Sequence, residues 1–569
     1  MGASEAMFTF KIQDQDFETR VLGFNATEDV SRPFSVTLHL AVPDTTPVTF
    51  ADVVNHAACL TIESGTQDHE HRHFHGIIQQ FARTGHDGDY HLYNVRLTPA
   101  LDLLSLERDC RIFQEKSVPE IITAILDGLN SRLIHHRFAL NREPSKKTYC
   151  VQYRESTLNF IHRLLEEEGI FYYFEHEKAR HVLVFADHPS HCAVIKGQPE
   201  VAMVAPSGLN AEEETITSGF MAERIRPGAF THGSRNYERM DQNLEANRRQ
   251  QQFEDIAVYE YSGRYDDQGE GEALAEIRLA EHKLLRQGGG GRGNCPRLTA
   301  GHRFTLASDA ADLGKQEHLL ISIEHGGTQP QVLEEGAGAP CDYENSFTCL
   351  PVSVDFRPGR STPKPVIPGL HSALVTGPAG EEIHTDDLGR VKVQFPWDRQ
   401  GQNDDKTTCW IRVAQAWAGS NRGYQFIPRV GDEVLVDFLE GDPDRPIVVG
   451  SLYNSAQQPL HPAADKTKSG LRTKTYKGEG FHELCFDDAK EKEKIFLRSE
   501  KDWEILVKND KEQTIGGDST TDVTGKLTET AEEIILRAKK KILIEVGGNK
   551  ILIEQSGIRI LGGKVKVNP

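Results

Sequence analysis

Residues 430–454 read VGDEVLVDFLEGDPDRPIVVGSLYN. Apolar and polar positions alternate on both sides of a short break, which predicts two strands joined at a turn. Asp442 can cap that turn, Pro443 presets φ, and Gly441 permits an unusual backbone. Working outward, Val391–Phe395, Trp410–Val413 and Val434–Phe438 are among five strand candidates between residues 366 and 455. That density fits a small Greek-key barrel. The proline-dense run from Asp355 to Pro365 reads as a linker into it.

Before the linker, residues 7 to about 110 alternate in short runs such as Val36-Thr37-Leu38-His39-Leu40, which predicts a twisted β domain. Three helices interrupt the sheet pattern. The first, near 117–130, opens on a Ser117/Glu120 capping box. The second, 157–168, carries Leu158, Ile161, Leu164 and Leu165 on one face and stops at Gly169. The third, near 271–287, is amphipathic and ends at the run Gly288–Gly293, which lacks the Gly-Lys-Ser/Thr ending of a phosphate cradle and reads as a flexible linker.

After a linker at 456–470 the pattern becomes short strands between Gly, Asn and Asp turns. Lys541-Ile542-Leu543-Ile544-Glu545 recurs as Lys550-Ile551-Leu552-Ile553-Glu554, and a looser copy starts at Arg559. Each strand has an apolar and a charged side. Burying three aliphatic groups yields about 6 kcal/mol, while ordering six residues costs about 9 kcal/mol. A lone ribbon of this kind does not stand, so copies of the chain must close around a symmetry axis.

A net charge of −20 opposes attraction to phosphate backbones and anionic lipid. No window has the roughly 18 apolar residues of a membrane span. The N-terminus runs into strand-like Met7–Ile12 without a secretory signal, which predicts cytoplasmic synthesis. Nine dispersed cysteines form no CxxC pairs and read as reduced packing residues.

The 430–454 stretch resembles the hallmark of the VgrG family. The resemblance continues in DDLGRVKVQFPWDR (386–399), WIRVAQAWAGSNRG (410–423), STLNFIHRLLEEEGIFYYFEH (156–176), Arg72–Gly76 and the neck from Leu471 to Phe486. It implies a mainly β chain with a few helices: a phage-hub-like base (7–365), an OB-fold barrel (366–455), a linker (456–470) and a C-terminal intertwined trimeric β-prism needle (471–569). It further implies a homotrimer on the Hcp tube of a type VI secretion system, with baseplate contacts, a PAAR-type tip and effector cargo. Tip docking falls to Val567, Asn568 and Pro569. The machine exports such a spike, which meets membranes only by mechanical puncture and takes no cofactor, metal or nucleic acid. A phage or phage-like contractile hub shares this architecture and is the alternative.

Two motifs point elsewhere. His69-Glu70-His71-Arg72-His73 fits HExxH, the zinc-hydrolase signature, with His69 and His73 as ligands and Glu70 as base. That chemistry needs a helix. As a strand, the segment puts His69, His71, His73 and His75 on one solvated face and Glu70 on the other, so no enzyme is expected. Trp397, Trp410 and Trp417 could stack nucleic-acid bases, but residues 385–453 hold 8 Lys/Arg against 11 Asp/Glu, so core or interface tryptophans are expected. Only 15 residues separate Asn454 from Gly470, too few for an inserted lysozyme-like domain.

Overall fold

The computed structural model describes residues 7–63, 71–128, 134–204, 214–284, 286–307, 315–329 and 341–567. It is mostly β and separates into two units, 1–498 and 499–569. In the first unit, twelve strands form one sheet. Alternation dictates which side each presents: in Ser35–Pro43 the side chains of Val36, Leu38 and Leu40 are fully buried, with less buried residues between them. Six of the strands close on themselves. They run Gln316–Thr328, Arg303–Ala307, Glu200–Met203, Thr215–Glu223, Gln287–Gly293 and Asp342–Pro351, and the last pairs back onto the first. Closure leaves that ring without free edges.

The glycine run expected as a flexible linker is one of those strands. Gln287–Gly293 pairs antiparallel with Thr215–Glu223 on one side and with Asp342–Pro351 on the other. Its glycines are demanded by close approach. A Cβ on Gly290 would stand 2.5 Å from the Phe347 carbonyl oxygen, and one on Gly291 would stand 2.6 Å from that of Ser218. Backbone hydrogen bonds on both sides replace the packing that side chains give elsewhere.

The first helix, α1 (Val118–Gly128), has its capping box: the Ser117 N–H donates to Glu120 Oε2 at 2.7 Å, and the Glu120 N–H to Ser117 Oγ at 3.4 Å. Helix α2 (Thr157–Glu168) starts where Ser156 Oγ accepts from the Asn159 N–H and stops at Gly169, whose φ is +67°. Helix α3 (Gln268–Lys283) ends earlier than its periodicity implied, because the chain must turn into the glycine strand at Gln287.

Strand Arg72–Asp87 contains His73 and His75, but the expected solvated face is not one at His75. His75 is buried, its Nδ1 lies 3.0 Å from His181 Nδ1, and its N–H donates to His176 Nδ1 at 3.2 Å. The strand runs inside the hub, so the face that alternation defined meets a second sheet instead of water. Burial pushes His75 down to about 4, and burial together with the neighbouring His75 pushes His181 down to about 3.

Residues 371–452 form a five-stranded sheet in the order Lys392–Gln394, His371–Thr376, Glu433–Phe438, Pro446–Leu452, Arg412–Val413. The barrel does not fill its own interior. Tyr149, Val151 and Tyr153, from hub strand Lys147–Ser156, join Val375, Val393, Phe395, Val434 and Val436 in one apolar cluster.

The turn quoted at the outset seals this junction. Gly441 has φ +70°, and the Asp444 N–H donates to Asp442 Oδ1 at 3.1 Å, as its sequence implied. Asp442 is also almost wholly buried. Lys364, from the proline-rich strap, reaches Asp442 at 2.7 Å and Asp444 at 2.5 Å. Arg264 Nε lies 3.1 Å from Asp442 Oδ2, an ion pair without hydrogen-bond alignment. The Val151 N–H donates to Asp444 Oδ1 at 2.7 Å. Burial alone would push the Lys364 ammonium down and the Asp442 carboxyl up. Mutual attraction outweighs it, holding Lys364 above and Asp442 below their ordinary values.

Asp444→Ala removes an acceptor from both Lys364 and the Val151 N–H, and should cost about 3 kcal/mol as a lowered unfolding midpoint in calorimetry. Arg399→Ala, which breaks the exposed pair with Asp109, should leave the midpoint in place. Buried His75 and His181 bind protons less readily folded than unfolded, where imidazoles titrate near 6.5. Stability should therefore be whole above about pH 6.5 and fall toward pH 4 in thermal unfolding. His181→Phe should flatten that slope.

Candidate functional site

The C-terminal unit holds the surface that most needs explaining. Among the described residues from Ser499 to Val567 none is buried. The stretch is not hydrophilic: Trp503, Ile505, Leu506, Leu527, Ile534, Ile535 and Leu536 are all more than half exposed. Its last regular structure is a three-stranded antiparallel meander, Lys541–Val546, Asn549–Glu554 and Gly557–Leu561. The repeated segment folds back on its copy through Gly547, whose φ is +55°.

Register decides the character of the two faces. Ile542 lies opposite Ile553, Ile544 opposite Ile551, and these two face Ile558 and Ile560 on the third strand. Directly opposed residues share a face, so six isoleucines form one continuous apolar surface. The other face is mixed: Lys541, Glu545, Lys550, Glu554 and Arg559 stand around Leu543, Leu552 and Leu561, with Lys550 and Glu545 paired at 2.9 Å and Arg559 paired to Glu554. This is half of an interface.

Of the residues expected to meet a tip, Val567 is 84% exposed, whereas Asn568 and Pro569 lie outside the described residues. His69 and Glu70 of the HExxH match lie outside them too. His73 sits on a strand, half-buried, with Nδ1 3.0 Å from Thr61 Oγ1, and burial lowers it to about 4.

The three tryptophans form no common platform. Trp397 stacks on Phe395 at 4.9 Å against the barrel core and donates its indole N–H to His371 at 3.2 Å. Trp410 packs on His384, and Trp417 is exposed beside the short hairpin at 418–423.

Sequence reasoning missed two donor groups, Asp44 with His86 and His91, and His461 with Glu483 and Cys485. In each, one member, Asp44 or His461, comes from a distant segment, so no spacing signature announces the group. It also missed the ionic partners of Asp442, since Arg264 and Lys364 carry no local mark of their destination.

Family models match three successive stretches of the chain. Residues 27–331 match the family of the phage tail baseplate hub (GPD). Residues 377–453 match the type VI secretion system/phage-baseplate injector OB domain, and residues 469–551 the bacteriophage T4 gp5 C-terminal trimerisation domain, which supports a homotrimer. The type VI secretion system spike protein VgrG1b of Pseudomonas aeruginosa is 36% identical over 87% of this chain and 67% of its own length. The actin cross-linking toxin VgrG1 of Vibrio cholerae is 35% identical over 87% of this chain, which spans 44% of that protein. A solved Escherichia coli component of the type VI secretion system, described as similar to the T4 tail proteins gp27 and gp5, has the same fold. It superposes with a TM-score of 0.57 at 21% identity, over 78% of this chain and all of that one. With its hub, barrel and trimerisation segments matched in order, the chain belongs to the VgrG family of type VI secretion system spike proteins.

Proposed function

We propose that three copies of this chain assemble into a force-bearing spike whose needle is closed by the isoleucine faces described above. The base (7–365) sits on the Hcp tube and meets the baseplate, the barrel (366–455) and linker (456–470) transmit load, and the prism (471–569) carries a PAAR-type tip around Val567, Asn568 and Pro569. The spike assembles in the cytoplasm, carries effectors, and is driven out by sheath contraction. Its own work is mechanical, without catalysis.

One observation carries the reading: a C-terminal unit rich in exposed apolar side chains that buries none of them within one chain. The buried ionic turn supports it, because a joint that must transmit thrust needs directional contacts between hub, strap and barrel. A phage-like contractile hub remains the second reading, favoured by the match of residues 27–331, and neighbouring genes separate the two.

Light scattering on the purified chain should give the mass of three copies, and a stable monomer would overturn the proposal. Ile551→Asp places a carboxylate on the dry face and should weaken assembly by about 3 kcal/mol per chain, seen as dissociation on dilution. Glu545→Gln on the opposite face should leave the mass unchanged.

A further inference from the structure

Between Ser451 and Val567 only two described residues are buried, and neither is aliphatic or aromatic. Glu483 is 7% exposed and Cys485 is 8% exposed. They stand two apart on strand Glu483–Asp487 and therefore share a face. Neighbouring apolar side chains do the opposite within one chain: Leu471, Ile495 and Leu497 stay exposed. Within one chain this sheet shelters a carboxylate and a thiol and leaves its leucines exposed.

The third member arrives from another segment. His461, in the loop that leaves the barrel, sets its Nε2 3.7 Å from Cys485 Sγ, and the donor atoms of all three residues lie within 4.8 Å of one another. Tetrahedral zinc, with bonds of about 2.3 Å to sulfur and 2.0 Å to nitrogen, holds those two donors about 3.5 Å apart. Arg472 Nη2 donates to Glu483 Oε1 at 2.5 Å, which fixes the carboxylate and leaves Oε2 for a ligand. A thiolate and a carboxylate together neutralise a divalent cation, and the S, N, O donor set suits zinc over calcium or magnesium.

The second donor group differs in kind. Asp44 is exposed and already engaged by His86 at 2.6 Å, while His91 Nδ1 is met by Arg83 at 2.7 Å. Its polar atoms satisfy one another on the surface.

We propose that His461, Glu483 and Cys485 bind a structural zinc ion, with the fourth position held by water. The metal ties the segment leaving the barrel to the sheet of Lys468–Arg472, Glu483–Asp487 and Lys494–Arg498 within each chain. It is a staple at the neck, independent of the spike reading above.

The test uses the purified full-length chain, dialysed against metal-free buffer and then loaded with zinc or cobalt. Mass spectrometric metal analysis should find about one zinc per chain, and the cobalt form should show an intense near-ultraviolet thiolate-to-metal band. Cys485→Ser should abolish the band and weaken zinc affinity at least about 100-fold, and Glu483→Gln should weaken it. Asp44→Asn should change neither. Absence of tight zinc and of the cobalt band in the unaltered chain overturns the proposal, as does full zinc retention by Cys485→Ser. Should Cys485→Ser fail to fold, His461→Asn, at a less buried position, decides by the same two readouts.

Discussion

An apolar β face must be covered, and each part of this chain meets that constraint in a different way. The hub covers itself by closing six strands into a ring and laying further sheets and helices over the rest. The barrel borrows part of its interior from a hub strand. The C-terminal meander has no cover of its own, and its six isoleucines are left for other copies of the chain. Self-sufficiency falls from the N-terminus to the C-terminus, and assembly becomes necessary where it ends.

At the junction of hub and barrel the chain relies on charge as well as apolar contact. Apolar packing between Tyr149, Val151, Tyr153 and the barrel strands resists separation but tolerates sliding, since it has no preferred direction. The Asp442 and Asp444 carboxylates supply direction, because Lys364 holds one oxygen of each and the Val151 N–H holds the other oxygen of Asp444, while Arg264 adds attraction at Asp442. Buried ion pairs add little net stability for their desolvation, and their better attested use is to specify geometry. The force-bearing role proposed above would use such specification.

Much of this was legible beforehand because it is local. The capping box of α1, the glycine stop of α2 and the left-handed Gly441 depend on residues three or four positions apart, and the sequence states them directly. What was not legible depends on distance. The glycine strand looked like a linker because its reason lies in Phe347 and Ser218 on neighbouring strands. His75 looked solvated because alternation defines a face without saying what lies against it. Lys364 is an ordinary lysine in a proline-rich strap until the fold brings a buried aspartate to it. The His461, Glu483 and Cys485 group unites a loop with a strand beyond a hairpin, and no periodicity links the two.

The shared interior of hub and barrel also sets an order of events during synthesis. Strand Lys147–Ser156 emerges long before residues 371–448, yet Tyr149, Val151 and Tyr153 have only Cys110 and Ile112 of the neighbouring hub strand as apolar company until the barrel strands arrive. For the time the ribosome takes to make the intervening chain, the nascent hub carries a sticky flank, an opening for a holding chaperone or for mispairing with another nascent hub on the same messenger.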